Sequence, residues 1–145
     1  MAGTVVVGLD GSSSSRRALH WAHHQAELTG ATLRIVWAWE FPASLGLAPG
    51  IPEGWNPEGD ARAEFRSVLA ATLPADGPVE VQEVFAESDA RHALVEAAKG
   101  ADLLVVGSRG HGAVANVFLG SVSEYCAGHA PCPVVIVRDP GDEGS

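Results

Sequence analysis

The sequence predicts an α/β fold, a doubly wound, five-stranded and mainly parallel sheet with helices on both faces. Three observations predict it. Five short runs rich in β-branched residues recur along the chain, each suited in length to a strand. Stretches with helical spacing separate them, and such alternation requires right-handed crossovers that lay successive strands parallel. Finally, the segments VVV (from Val5) and LLVV (from Leu103) are apolar at every position, as in strands covered on both sides.

The first strand is read over Thr4 to Leu9 (TVVVGL). Ser12 to Ser15 then offer N-caps, Leu19, Ala22 and Ala26 repeat at helical spacing, and Gly30 sits where a helix-ending glycine belongs. The second strand covers Thr32 to Ala38. A segment rich in Pro and Gly, from Phe41 to Glu58, leads to a second helix with Asn56 as cap, Pro57 at its first position, and Ala61, Phe65, Val68, Leu69 and Thr72 on one face. The third strand is expected over Val79 to Phe85. Ser88 is expected to cap a third helix that buries Ala90, Leu94, Ala97 and Ala98 and stops at Gly100. A fourth strand spans Asp102 to Val106, a capping box of Ser121 and Glu124 opens a fourth helix, and the last strand runs from Pro133 to Arg138.

The chain has 145 residues, 9 Lys or Arg against 18 Asp or Glu, and a net charge of −9. A chain of about 150 residues can bury roughly 70% of its unfolded surface in one core, so residues 1–139 are expected to form one domain, with 140–145 as a disordered acidic tail. The charge leaves no basic stripe for nucleic-acid phosphates or an anionic membrane surface. The N-terminal MAGTVVVGLD has no basic leader region, and no apolar run reaches membrane-spanning length. Cys126 and Cys132 do not form a disulfide or zinc pattern, so each is expected to behave as a small apolar residue. A reducing cytoplasm is the compartment expected by default. His20, His23 and His24 lack a third metal-ligand signature and read as a solvated helix face.

In an open parallel sheet, ligands bind outside the carboxyl ends of the strands, where the strand order reverses. The loop after the fourth strand therefore carries the chemistry. It reads Gly107-Ser-Arg-Gly110, then nine residues, then Gly120-Ser121 at the start of the fourth helix. Glycines let the backbone approach an anion, the helix start adds a positive dipole end, and Ser121 and Ser123 add hydroxyls. Arg109 and His111 lie within this cradle and either could meet a phosphate, Arg109 through a bidentate bond; the competing reading for both is exposure on a surface loop. Asp10, just past the first strand, is placed to accept hydrogen bonds from ribose hydroxyls or a base amine, or else to satisfy the N–H groups of its own turn. Neither the P-loop pattern nor a G-x-G-x-x-G after the first strand occurs, which argues against a P-loop NTPase and an ordinary dinucleotide dehydrogenase.

The pattern G-x2-G-x9-G-[ST], preceded by VVG and followed by SVSEYCAGHAPCPVVIVR, resembles that of the universal stress protein family. VVVGLDGSSSS, TLRIVWAW and AESD resemble it too, so the likeness covers nearly the whole chain. It implies a Rossmann-like sheet of order 3-2-1-4-5 and, for members with the glycine motif, ATP binding. By the same resemblance Gly8 and Asp10 meet adenosine, Ala38 lines the adenine pocket, and Val106 and Gly107 approach the nucleoside. Gly110, Gly120, Ser121, Val122 and Ser123 hold ribose and phosphates. Ala38 is smaller than the valine often found there, and Trp37 and Trp39 flank it.

The function expected on this basis is that of a stress-response or regulatory module that binds ATP with Mg²⁺, with cyclic AMP as the alternative ligand. A slow ATPase, an adenylate-forming enzyme and an interaction module with a structural nucleotide are the competing classes. Lys99 is expected at the end of the third helix, away from the phosphates, and no catalytic or metal-ligating residue is assigned. Hydrolysis is therefore expected on the order of one event per minute or slower, against about 10 s⁻¹ for a median enzyme. The resemblance also implies a homodimer through the last strand, besides an unidentified protein partner.

Overall fold

The computed structural model describes residues 3–41, 54–74, 76–109 and 119–138. Its elements follow in strict alternation: β1 (Thr4–Gly8), α1 (Ser13–Thr29), β2 (Thr32–Trp39), α2 (Pro57–Thr72), β3 (Val81–Glu87), α3 (Ala90–Ala97), β4 (Leu103–Gly107), α4 (Ser121–His129) and β5 (Val134–Val137). All four strand pairings are parallel, in the order β3-β2-β1-β4-β5.

Two cores flank the sheet. On one side Val5, Val7, Leu33, Ile35 and Val105 pack under Leu19, Ala22 and Ala26 of α1 and Phe65 of α2. On the other, Val6, Val36, Leu104 and Val106 meet Ala93, Leu94 and Ala98 of the α3 segment and Cys126 of α4. Alternate residues of the same strands serve the two cores, which is why β1 and β4 are apolar at every central position.

Caps and stops explain most element ends. Ser12 accepts the Ser15 N–H at the start of α1, and Gly30 ends that helix at φ 72° with its own N–H on the Ala26 carbonyl. Asn56 caps α2 through Gly59, with Pro57 in the first turn as expected.

The ends of β1, β2, β4 and β5 differ from the sequence reading by one residue, and three further differences have a visible cause. β3 lies two residues later than expected, because β2 continues to Trp39 and offers a partner through Trp39↔Glu87. The cap of α3 is Asp89, one residue beyond Ser88; its carboxylate accepts the Arg91 N–H at 2.8 Å and pairs with the Arg91 guanidinium, which holds the Asp89 carboxyl below its ordinary range. The expected capping box of α4 is absent: the cap is Gly120, with no side-chain hydrogen bond, and Ser121 is already helical. The chain enters α4 through a bond from Gly120 N–H to the Ser108 carbonyl at 2.7 Å, and this backbone tie sets the helix start one residue earlier. The expected tail, 140–145, lies outside the described residues.

Candidate functional site

The strand order places β1 between β2 and β4, so the chain reverses its direction of growth between those two neighbours. The crevice beyond the carboxyl ends of β1 and β4 is the switch point of the sheet. The loops leaving Gly8 and Gly107 both open there.

On the β1 side, the chain leaves the strand with the Leu9 N–H on the Val36 carbonyl at 2.9 Å. Gly8 is tight on its α3 side, where an added Cβ would stand 3.0 Å from a methyl carbon of Leu94. Asp10 is half-buried and ordered by its own turn: Oδ1 accepts the Ser12 N–H at 2.9 Å and the Ser12 hydroxyl at 2.5 Å. Its backbone N–H donates to Ser15 Oγ at 3.2 Å. Asp10 thus satisfies the N–H group and hydroxyl of its own turn, and these bonds fix Oδ1 there.

On the β4 side, Gly107 lies against the first turn of α1. A Cβ there would stand 2.7 Å from the Ser14 carbonyl carbon and oxygen, so the residue must be glycine for that packing. Next, Ser108 is fully buried; its N–H donates to the Val137 carbonyl of β5, and its carbonyl receives the Gly120 N–H and, at 3.2 Å, the Ser123 hydroxyl. Arg109 is half-buried, with Nε shielded from solvent and its backbone N–H on Ser14 Oγ at 3.2 Å. The long loop is therefore tied at both ends, to α1 where it starts and to its own origin where it re-enters α4.

Among the expected site residues, Gly8, Asp10, Gly107, Arg109, Gly120, Ser121, Val122 and Ser123 belong to these two loops or the first turn of α4. Ser121 is exposed, whereas Ser123 is only 2% exposed and its hydroxyl also donates to the Gly120 carbonyl. The Val106 side chain is in the α3–α4 core, leaving its backbone as the part that faces the crevice end of the strand. Ala38 packs against that same core. Trp37 and Trp39 take the opposite face, stacked on Phe65 at 5.4 Å and on Phe85 at 6.1 Å, so neither crowds the side of the sheet that Ala38 serves. Gly110 and His111 lie outside the described residues.

Two residues escaped the sequence reading. The sequence offers Ser14 only as one of four capping candidates and gives Ser108 no role. Both are buried polar side chains, and the available signal was their position, one inside a run of four serines at a helix start and one between a strand and an arginine.

Around the site, titration offers little chemistry. Burial pushes the Cys126 thiol up to about 11, and burial together with the Asp102 charge raises that of Cys132, so both are poor nucleophiles at neutral pH. Among the described residues no group of three or more His, Cys, Asp or Glu could hold a metal ion. A groove of about 260 Å³ between α2 and β3, lined by Arg62, Phe65, Arg66, Glu83 and Phe85, lies at the far edge of the sheet, where the Arg62 guanidinium covers the Phe85 ring at 4.2 Å. No helix among the described residues is long and apolar enough to cross a membrane.

Comparison with known proteins identifies the family. The universal stress protein family model matches residues 1–138. A universal stress protein of Thermus aquaticus is 37% identical over 138 residues, covering 93% of this chain and 98% of that protein. The chain spans about half the length of several mycobacterial relatives it matches, 47% in one Mycobacterium tuberculosis case. Among solved structures, a universal stress protein in complex with cAMP is 34% identical, with TM-score 0.57 and coverage of 93% of this chain and 95% of that one. The Archaeoglobus fulgidus universal stress protein in complex with dAMP is 20% identical with TM-score 0.65, covering 94% and 98%, and shares the fold. Matched over nearly its whole length, this chain belongs to the universal stress protein family.

Proposed function

We propose that the protein binds an adenine nucleotide across the carboxyl ends of β1 and β4, and that occupancy biases a regulatory or partner-binding state. The observation that carries this reading is the start of α4: a helix N-terminus without a capping side chain, tied by Ser108 to the end of β4 and opening on the same crevice as the Asp10 turn. Uncapped N–H groups and the helix dipole suit phosphate oxygens, and the Ser121 hydroxyl adds a donor. Asp10 is an acceptor of the kind ribose hydroxyls and a base amine require. The donor set therefore fits a nucleotide, with Asp10, Gly8 and Ala38 toward the nucleoside and Arg109, Gly120, Ser121 and Val122 toward the phosphates. Gly110 and His111 are proposed for the phosphate end on the motif alone.

Within this reading the ligand is ATP, with Mg²⁺ held chiefly by the phosphates, since no carboxylate cluster is available beside them among the described residues. Hydrolysis is slow or absent. A second reading, cyclic AMP, is favoured by the 34%-identical protein solved in complex with cAMP. Mass spectrometry of ligand released from the denatured purified protein, followed by competition calorimetry with ATP, AMP and cyclic AMP, tests both. Tightest binding of ATP supports the first reading and tightest binding of cyclic AMP the second. Absence of any adenine nucleotide from both measurements would refute the site.

We further infer a cytoplasmic protein, a single domain over 1–139, and a homodimer formed through β5. That strand is the sheet edge beside β4, and its four apolar residues are each half-buried in the monomer. Pairing with a second copy would cover the edge. Ile136→Lys is then expected to give a folded monomer by sedimentation at micromolar concentration where the parent sediments as a dimer; a monomeric parent would refute the pairing.

A further inference from the structure

We propose that Ser14 is a positioning residue for the phosphate end of the site, acting through the Arg109 backbone; this rests on the nucleotide reading above. Ser14 is 3% exposed, in the first turn of α1, and serines there ordinarily turn their hydroxyls to the helix end or to water. Here the hydroxyl instead accepts the Arg109 N–H at 3.2 Å, a bond that spans 95 positions of sequence. The Ser14 carbonyl group also fills the space that a side chain at Gly107 would need. One residue of α1 thus meets the end of β4 twice, through close packing at Gly107 and a hydrogen bond two residues later.

The neighbouring serines do different work. Ser12 and Ser15 are engaged with the Asp10 turn: Ser12 donates to Asp10 Oδ1, while Ser15 Oγ accepts the Asp10 N–H and donates to the Ser12 carbonyl. The serine run therefore divides between the two walls of the crevice. Ser12 and Ser15 hold the β1 wall with its carboxylate, and Ser14 reaches across to the β4 wall. At the other end of the loop, Ser123 and Gly120 grip the Ser108 carbonyl, so release of Ser14 would free the Arg109 side of the loop while leaving the α4 side tied.

That division gives a selective expectation. Ser14→Ala removes one neutral hydrogen bond, which corresponds to about a three- to tenfold change in an equilibrium that depends on it. The loss should fall on ligands bearing phosphate and spare adenosine. Ser15→Ala should weaken adenosine, since it loosens the Asp10 turn.

The test measures ATP, cyclic AMP and adenosine binding by calorimetry for the parent, Ser14→Ala and Ser15→Ala. It adds amide hydrogen exchange at Arg109 by NMR and thermal midpoints as a check on folding. The expected result is three- to tenfold weaker binding of the two phosphorylated ligands by Ser14→Ala, adenosine unchanged within twofold, and Arg109 exchange faster by a similar factor. Equal losses for all three ligands, or no loss for any, would overturn the positioning role. If the parent binds none of the three, the nucleotide reading fails on its own. In that case faster Arg109 exchange in Ser14→Ala would sustain the tie between α1 and β4, and an unchanged rate would refute it as well.

Discussion

The half of the molecule around α1, β1 and β4 is held differently from the half around α2 and β3. Helix α1 buries Ala18, Leu19, Ala22 and Ala26 along with two serines, whereas α2, nearly as long, buries Phe65 alone. Strand β1 is buried at its three central positions, while β3 begins with three exposed residues. Small side chains let α1 approach the sheet until backbone and serine hydroxyls touch, and the bonds that shape the crevice are made there. The outer half rests on a stack of Trp37, Phe65, Phe85 and Trp39, whose contacts tolerate small displacements. A ligand site that needs fixed walls is expected beside the first kind of packing, and the switch point lies there.

The largest effect should come from deleting core volume in the tight half. Leu19→Ala removes a fully buried side chain and should lower unfolding free energy by about 3 to 4 kcal/mol, against about 1 kcal/mol for Leu69→Ala on the half-buried face of α2. Urea unfolding of both variants measures the contrast, and similar losses would erase it. Phe65→Ala is the exception within the outer half, because one ring joins Trp37 to Phe85. It should cost about 3 kcal/mol and reduce the near-ultraviolet dichroism of the tryptophans, while nucleotide affinity changes little.

Much of this architecture was legible because local and global signals agree. Continuous apolar runs, Gly30 after α1 and the Asn56-Pro57 start of α2 each state their role without tertiary information. The shift of β3 could not be read locally, since its end depends on how far β2 extends beside it. Likewise the start of α4 moved to Gly120 because a carbonyl at Ser108, separated by a long loop, accepts its N–H. The site followed the same rule. The candidate glycines stand out by spacing and Asp10 by its place just past β1, but Ser14 and Ser108 owe their bonds to partners distant in sequence, and serine is a common residue at helix starts and in loops.

A smaller effect should separate the two walls of the crevice. Asp10→Ala removes the acceptor of two bonds from Ser12 and the proposed partner of the nucleoside, so adenosine and ATP should both bind about tenfold less well, or about 1.4 kcal/mol. A loss confined to ATP, measured by calorimetry, would move Asp10 to the phosphate end and would contradict the division of the serine run.

The smallest effect concerns the face that α3 and α4 cover, and it is a test by pH. Cys126 is fully buried there, and burial raises its thiol from an ordinary 9.0 to about 11. The folded state therefore retains this proton at pH values where the unfolded chain releases it. Stability supplied by the neutral thiol is complete below pH 9 and is lost as pH rises toward 11, because the unfolded state gains free energy by ionising. Between those two values the loss reaches roughly 0.8 kcal/mol by about pH 9.5. Other groups titrate in the same range, so the measurement is the difference between the parent and Cys126→Ala, whose own stability is lower but should not carry this part of the decline. Parallel curves from pH 8 to 9.5 would show that the thiol ionises as easily in the folded protein as in the unfolded one. That result would contradict a closed α4 face over β4 and the core shared with α3.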